Sequence, residues 1–452
     1  MRTDLTTVPS ALVTLILALR RRLADESFLA RHRVRAQDFT RRRKLPFLFV
    51  MLFILQKTVR SVQRHLHDFL EQVADELNLE GATPGAVTHA RAKLKHTAFI
   101  ELSRDCVLPA IYAQPDRPHQ LWRGPRLLGI DSSILRLPNT PELREAFTPV
   151  EVLCQFGPTG VGLAQARISV LYDLLNRAGL DARLEPSALG EVELAIQQLS
   201  EAQAGDVVIS DRGYAGYPFL AAQQRLGVHF VVRCSKGSFA PAQELFRANQ
   251  AGCSRGVTLQ APAAERTWMK AQGWPLALTV RFVSVRLSTG ELEVLATSLL
   301  NEKLYPTEEF LALYGRRWNH ETFYLMLKSR LDLENFSGAT AEAVRQDFYA
   351  AVLLCNLESI LTQPAQETLA ARGVAHPQQH PQQVNRANSY HAIKGRLFEL
   401  LEGSRAPEEV IQELQTMFLA TPVSVRQRGT KRKKPSPDRS YHYQKRVKKI
   451  VF

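Results

Sequence analysis

Cysteine is scarce in this 452-residue chain: five residues, Cys106, Cys154, Cys234, Cys253 and Cys355, lie far apart with no CxxC pair. That distribution argues against a structural zinc site and for a reducing, intracellular setting. Long apolar runs are missing too. The stretch LPFLFVMLFIL (45–55) falls well short of the roughly 20 residues a bilayer span needs and reads as a buried helix. The N-terminal ALVTLILALRRR carries its arginines after the apolar stretch, the reverse of a secretory signal. A cytoplasmic protein with no membrane partner is expected. His65 and His67 are two residues apart, a spacing that keeps them off a common helical face.

Acidic residues are also in deficit, 44 against 58 Lys and Arg, for a formal charge of +14. The excess sits at the ends. Residues 1–60 hold 13 basic and 4 acidic side chains, and residues 421–452 hold 11 and 1, leaving a mildly acidic middle. Basic ends around such a middle point to a polyanion, with nucleic acid the first candidate and a solvated basic surface the plain alternative.

The chain divides by pattern. Residues 1–115 read as helical, an N-terminal DNA-binding domain. Within it TPGAVTHARAKLKHTAFIEL reads as a turn followed by a basic helix. Arg91, Lys93 and Lys95 are its potential phosphate contacts, unless the face is merely solvated. From about 116 strands and helices alternate, the mark of an α/β layered core. RLLGIDSSILRL, ARISVLYDLLN, GDVVIS and VHFVVRC read as strands, and GEVELAIQQLSEA as a helix. A β-rich insertion is expected over 236–300, with the hairpin LTVRFVSVRLSTGELEVLATSL turning at Ser-Thr-Gly. The core resumes over 301–373, a loop and helices follow over 374–420, and the basic tail 421–452 lacks the apolar residues to form a core.

Two aspartates stand out by position. Asp131 interrupts an apolar strand and Asp211 ends VVIS. A carboxylate there costs several kcal/mol unless it is hydrogen-bonded, paired or bound to a metal. A third carboxylate, Glu321, lies in LYGRRWNHETFYLMLKSRL (313–331). At about 100° per residue, Tyr314, Arg317, Glu321 and Lys328 fall within roughly 60° of one another. Two readings stay open. One is an exposed helix with ordinary Arg–Glu pairing at i, i+4. In the other, three carboxylates hold two Mg²⁺ or Mn²⁺ ions, and the arginine, lysine and phenol address phosphates.

At these residues the sequence resembles the DDE transposases of bacterial insertion sequences. Tyr314-x₂-Arg317-x₃-Glu321-x₆-Lys328 matches their YREK signature, with GIDSS around Asp131 and SDRGY around Asp211. RKLPF, ARAKL and LATSL also resemble that family, over roughly residues 40–415. The resemblance implies an RNase H-like catalytic core interrupted by the β-rich insertion. It also implies a metal-binding catalytic triad of Asp131, Asp211 and Glu321, with DNA contacts from Tyr314, Arg317 and Lys328. Related enzymes of the hairpin-forming cut-and-paste branch flip a base onto an aromatic ring. Trp268, Trp274 and Trp318 are the candidates here, with core packing as the alternative for each. His320 departs from the pattern, since an apolar residue is common there.

The expected protein binds terminal inverted repeats in double-stranded DNA, cleaves each end by metal-assisted in-line attack and joins the 3′-hydroxyls to target DNA. Arg41, Arg42, Arg43, Lys44 and the tail add phosphate contacts. Synapsis of two ends calls for at least a homodimer, in a nucleoid-associated setting. Two rivals are a catalytically silent DNA-binding repressor and a metal-dependent nuclease without strand transfer. An RNA substrate is a weaker third.

Overall fold

A computed structural model describes residues 8–40, 45–57, 61–73, 82–113, 119–148, 163–375 and 380–425. It separates into two compact units, Met1–Pro115 with Lys328–Phe452, and Asp116–Leu327. Arg41 to Lys44 and the tail beyond 425 lie outside the described residues.

The first unit is almost wholly helical. Phe47–Leu55 buries every residue but Leu48, as an all-round apolar helix must. It packs on the 35-residue helix Ala341–Ala375, which also carries Thr97–Leu102 and Pro407–Ala420 against it. The basic helix expected from TPGAVTHARAKLKHTAFIEL is two pieces, Pro84–Arg91 and Thr97–Leu102. Arg91 is not a phosphate contact. It is buried, and its guanidinium donates to Gln346 Oε1, Ser337 Oγ, the Ala343 carbonyl and Asp347 Oδ1 at 2.5–2.6 Å. Burial of an arginine demands full pairing, and Asp347 supplies the countercharge. Lys93 remains exposed, and Lys95 is half-buried, donating to the Arg31 carbonyl.

The second unit is mixed α/β around one eight-stranded sheet, ordered β3-β2-β1-β4-β5-β8-β7-β6. The strands are β1 (Leu127–Arg136), β2 (Gln165–Asp173), β3 (Ala178–Pro186), β4 (Val207–Ser210), β5 (His229–Arg233), β6 (Ser254–Gln260), β7 (Ala277–Arg286) and β8 (Leu292–Thr297). β1, β2 and β3 form an antiparallel meander, while β1, β4 and β5 run parallel. The parallel strands Val207–Ser210 and His229–Arg233 are nearly continuous apolar runs because helices cover them, among them Tyr217–Arg225.

The 236–300 segment does not stand apart from this sheet. β8 pairs with β5 and carries β7 and β6 outward, so the insertion prolongs the core sheet. It also contains two helices, Ala240–Ala248 and Ala263–Ala271. Buried Arg281 of β7 ties it to the segment that follows, donating to Ser254 Oγ, the Tyr305 carbonyl and Thr307 Oγ1. The 313–331 stretch is not one straight helix either. Glu309–Gly315 ends at its glycine, a tight turn at Arg316 and Arg317 bonds back to the carbonyls of Leu313 and Tyr314, and Trp318–Leu325 then begins. A π-helical turn, Met326–Arg330, follows.

Candidate active site

The site begins with strand register. Ile130 of β1 lies opposite Ser210 of β4 in parallel pairing, so the next residues, Asp131 and Asp211, come side by side. Neighbouring strands are about 4.8 Å apart, and the carboxyl ends of parallel strands are where α/β sheets bind ligands. Each carboxylate is oriented by the next backbone N–H: Ser132 N donates to Asp131 Oδ1 at 2.8 Å, and Arg212 N to Asp211 Oδ1 at 2.7 Å. Tyr324 donates its hydroxyl to the Asp131 carbonyl at 2.6 Å, fixing the strand from the opposing helix. Burial pushes the Asp131 carboxyl up to about 6, and the charges of Asp211 and Glu191 add to it against the pull of Arg317.

The row of charge continues across the sheet. Arg233 at the end of β5 stands 4.0 Å from Asp211 Oδ1 and 2.8 Å from Glu293 Oε1 on β8. Glu293 is itself buried, which raises its carboxyl against the pull of Arg233. A cavity of about 710 Å³ opens here, lined by Arg212, Arg233 and Lys236 as well as Phe246, Asn249 and Glu291.

Above the aspartates lies the broken helix. Arg317 is buried at the break and donates to Glu321 Oε1 at 2.6 Å. Its guanidinium stands 5.6 Å from the ring centres of both Tyr314 and Trp318, a cation–π arrangement. Asp131 and Asp211 both interact with its charge. The Tyr314 hydroxyl lies 3.5 Å from Asp211 Oδ1, and burial raises the phenol so that it stays a donor. Trp318 is 62% exposed. His320, fully buried, stacks between Tyr172 and Tyr324 with neither ring nitrogen bonded, and burial, with Arg317 adding, pushes it down to about 3.

Residues 122–357, just over half of the chain, match the family described as "Transposase DDE domain". The chain belongs to the DDE transposases. Among curated relatives it is 26% identical over 338 residues to the transposase InsG for insertion sequence element IS4 of Escherichia coli K12, covering 70% of each chain. It is 25% identical over 212 residues to a putative transposase, y4zB, of Sinorhizobium fredii, covering 45% of this chain and 56% of that one. A piggyBac transposase synaptic complex with hairpin DNA aligns at a TM-score of 0.44 and 11% identity, over 90% of this chain and 85% of that one. A likeness of that size supports no argument.

DDE transposases are nucleotidyl-transfer enzymes that generally use divalent metal ions. Among the described residues, no three His, Cys, Asp or Glu side chains gather closely enough to enclose one. The structure sets Asp131 and Asp211 side by side and turns Glu321 to Arg317 instead. The aspartates suit a hard cation, being adjacent, oriented oxygen donors whose mutual repulsion a cation relieves. Glu321 stays paired with Arg317, 2.6 Å away, and is not gathered with the two aspartates.

Tyr314 and Arg317 join this face of the DDE transposase, whereas Lys328 falls in the π-helical turn that opens the other unit's second segment. Trp268 and Trp274 pack against each other, ring centres 5.0 Å apart, in the connection between β6 and β7. Trp274 rests on the sheet core and Trp268 is 51% exposed. Sequence reading missed Glu191, Arg233 and Glu293. The last two end or open apolar strands as Asp211 does, a signal available in VHFVVRC and LEVLAT. Among the described residues no helix is long and apolar enough to cross a membrane.

Proposed function

We propose that this DDE transposase mobilises an insertion sequence by cutting and pasting. It binds terminal inverted repeats, cleaves the phosphodiester at each end and joins the 3′-hydroxyls to target DNA. The observation that carries the reading is the pairing of Ile130 with Ser210, which sets two aspartates abreast at the ends of parallel strands in a chain of this family. Asp131 and Asp211, joined by Glu321 once it leaves Arg317, would hold two Mg²⁺ or Mn²⁺ ions. When bound, such ions activate a water or 3′-hydroxyl and stabilise the leaving oxygen.

The chain's own groups do the rest. Arg317 and Tyr314 form the YREK part of the site and grip a phosphate beside the cleaved bond, Arg317 exchanging Glu321 for the phosphate. Lys328 supplies the signature's last cation. Arg212, Arg233 and Lys236 make the cavity beside Asp211 a path for the DNA backbone. Trp318, exposed next to Arg317, is the best placed of the three tryptophans to stack on a flipped base, where stacking is worth about 1–3 kcal/mol; such a base belongs to a hairpin-forming branch. An RNase H-like core fits the order β3-β2-β1-β4-β5 with its antiparallel meander and parallel β1, β4 and β5. The helical 1–115 region, with Lys93, Lys95, the Arg41–Lys44 run and the tail, supplies salt-dependent DNA binding, and two ends are held by a homodimer.

A DNA-binding repressor without catalysis is the second reading, and the Arg317–Glu321 pair favours it. Incubation with cognate end DNA and Mn²⁺ decides. Cleavage lost in Asp131→Ala, with joined product from the unaltered protein, supports the transposase. Cleavage without joining means a nuclease, binding without cleavage a repressor, and normal cleavage by Asp131→Ala refutes the site.

A further inference from the structure

Glu191 opens the helix Glu191–Gln198 on the way from β3 to β4, far in sequence from both aspartates, yet it touches the local structure that orients each. Its Oε2 accepts from Ser132 Oγ at 3.0 Å. The backbone N–H of that same Ser132 orients Asp131 Oδ1. Arg167 Nη1 donates to Ser132 Oγ at 3.2 Å and stands 4.0 Å from Glu191 Oε2, holding serine and carboxylate together from β2. The other oxygen, Oε1, rests on Gly213, where an added Cβ would lie only 2.7 Å away. Gly213 belongs to the 3₁₀ turn Arg212–Tyr214, whose first N–H orients Asp211. One carboxylate thus braces the backbone behind Asp131 and the turn behind Asp211.

We propose that Glu191 is a positioning residue that fixes the spacing of the two aspartates, by accepting from Ser132 and filling the space over Gly213. The role rests on the reading of Asp131 and Asp211 as metal-holding groups, and it predicts what a merely structural glutamate would not. Its removal weakens divalent-ion binding while the protein stays folded. Outer-shell partners of metal ligands typically change affinity 10- to 100-fold, and the lower end is expected for a group 40% exposed.

The test is Mn²⁺ binding to the full-length protein without DNA, followed by electron paramagnetic resonance, with thermal unfolding as a check on folding. Glu191→Ala and Ser132→Ala are each expected to weaken binding about tenfold. The double variant should be no weaker than Glu191→Ala, because that substitution already removes the contact with Ser132. Glu191→Gln, which keeps an acceptor oxygen, should stay within about twofold of the unaltered protein. Should Glu191→Ala fail to fold, Glu191→Asp keeps the charge but withdraws the oxygen from Ser132, and the same tenfold loss is expected. Unchanged affinity in Glu191→Ala, additive losses in the double variant, or a Gln variant as weak as the Ala variant would overturn the proposal. Asp131→Ala separates the layers. If it binds Mn²⁺ normally, the underlying site is wrong and this role goes with it; if it loses binding while Glu191→Ala does not, only the role of Glu191 is refuted.

Discussion

Each unit buries an arginine 2.6 Å from a carboxylate, and the two pairs differ in how completely they are satisfied. Arg91 spends its donors on four partners, and Asp347 is fully buried, also receiving Ser337 N and lying 3.6 Å from Lys57 Nζ. Arg317 makes one bond to its glutamate, leaves its buried Nε without a partner, and faces a carboxylate 38% exposed. A pair in which all three guanidinium nitrogens are bonded is locked. A pair with donors to spare and one open side can trade its partner for a phosphate. Burial and countercharge alone do not distinguish the two pairs; the unmade hydrogen bond at Arg317 Nε does.

Breaking the locked pair should have the largest effect. Asp347→Ala leaves two buried cations without compensation, and a loss of about 3–5 kcal/mol is expected in urea unfolding. A loss below about 1 kcal/mol would show that the cluster is wetter than its geometry indicates. The open pair should behave the other way. Arg317→Ala is expected to reduce end cleavage about 10²–10³-fold while costing little stability, and equal damage to both would erase the contrast.

Asp131 sharpens it through pH. Its carboxyl is raised to about 6 from an ordinary 3.8, so the native state favours the neutral acid. Its contribution is present in full below the unfolded value and is lost as pH rises through about 6. Asp131→Asn should therefore gain about 3 kcal/mol over the unaltered protein at pH 8, shrinking toward nothing at pH 4. A pH-independent difference in urea unfolding would contradict this. The smallest effect concerns His320, whose two ring nitrogens are buried without partners. His320→Leu should stabilise by about 1 kcal/mol; destabilisation would mean that its stacking on Tyr172 and Tyr324 outweighs the unpaired nitrogens.

The carboxylates were legible because a charge inside an apolar run is costly wherever it occurs. Their adjacency was not, since it depends on the register of Ile130 with Ser210, which no local pattern encodes. Arg91 was misread for the same reason: a cation on a short helix looks the same whether it faces solvent or Asp347. The edge-ward strands β3, AGLDARLEP, and β6, SRGVTLQ, escaped notice because exposed alternate positions admit charges and hide the apolar signal. Gly315 did carry a warning. A glycine in a helical pattern often ends it, and the turn that follows sets Arg317 at the break over the aspartates.

Asp131 and Asp211 are expected to share a divalent ion, with Glu321 leaving Arg317 to join them. Crystals of the protein with Mn²⁺ and cleaved end DNA, measured for anomalous scattering, test it directly. A peak is expected about 2.0–2.2 Å from a carboxylate oxygen of each aspartate, with Arg317 turned to a phosphate and Glu321 released. No peak between the aspartates, with the Arg317–Glu321 bond intact beside bound DNA, would contradict it.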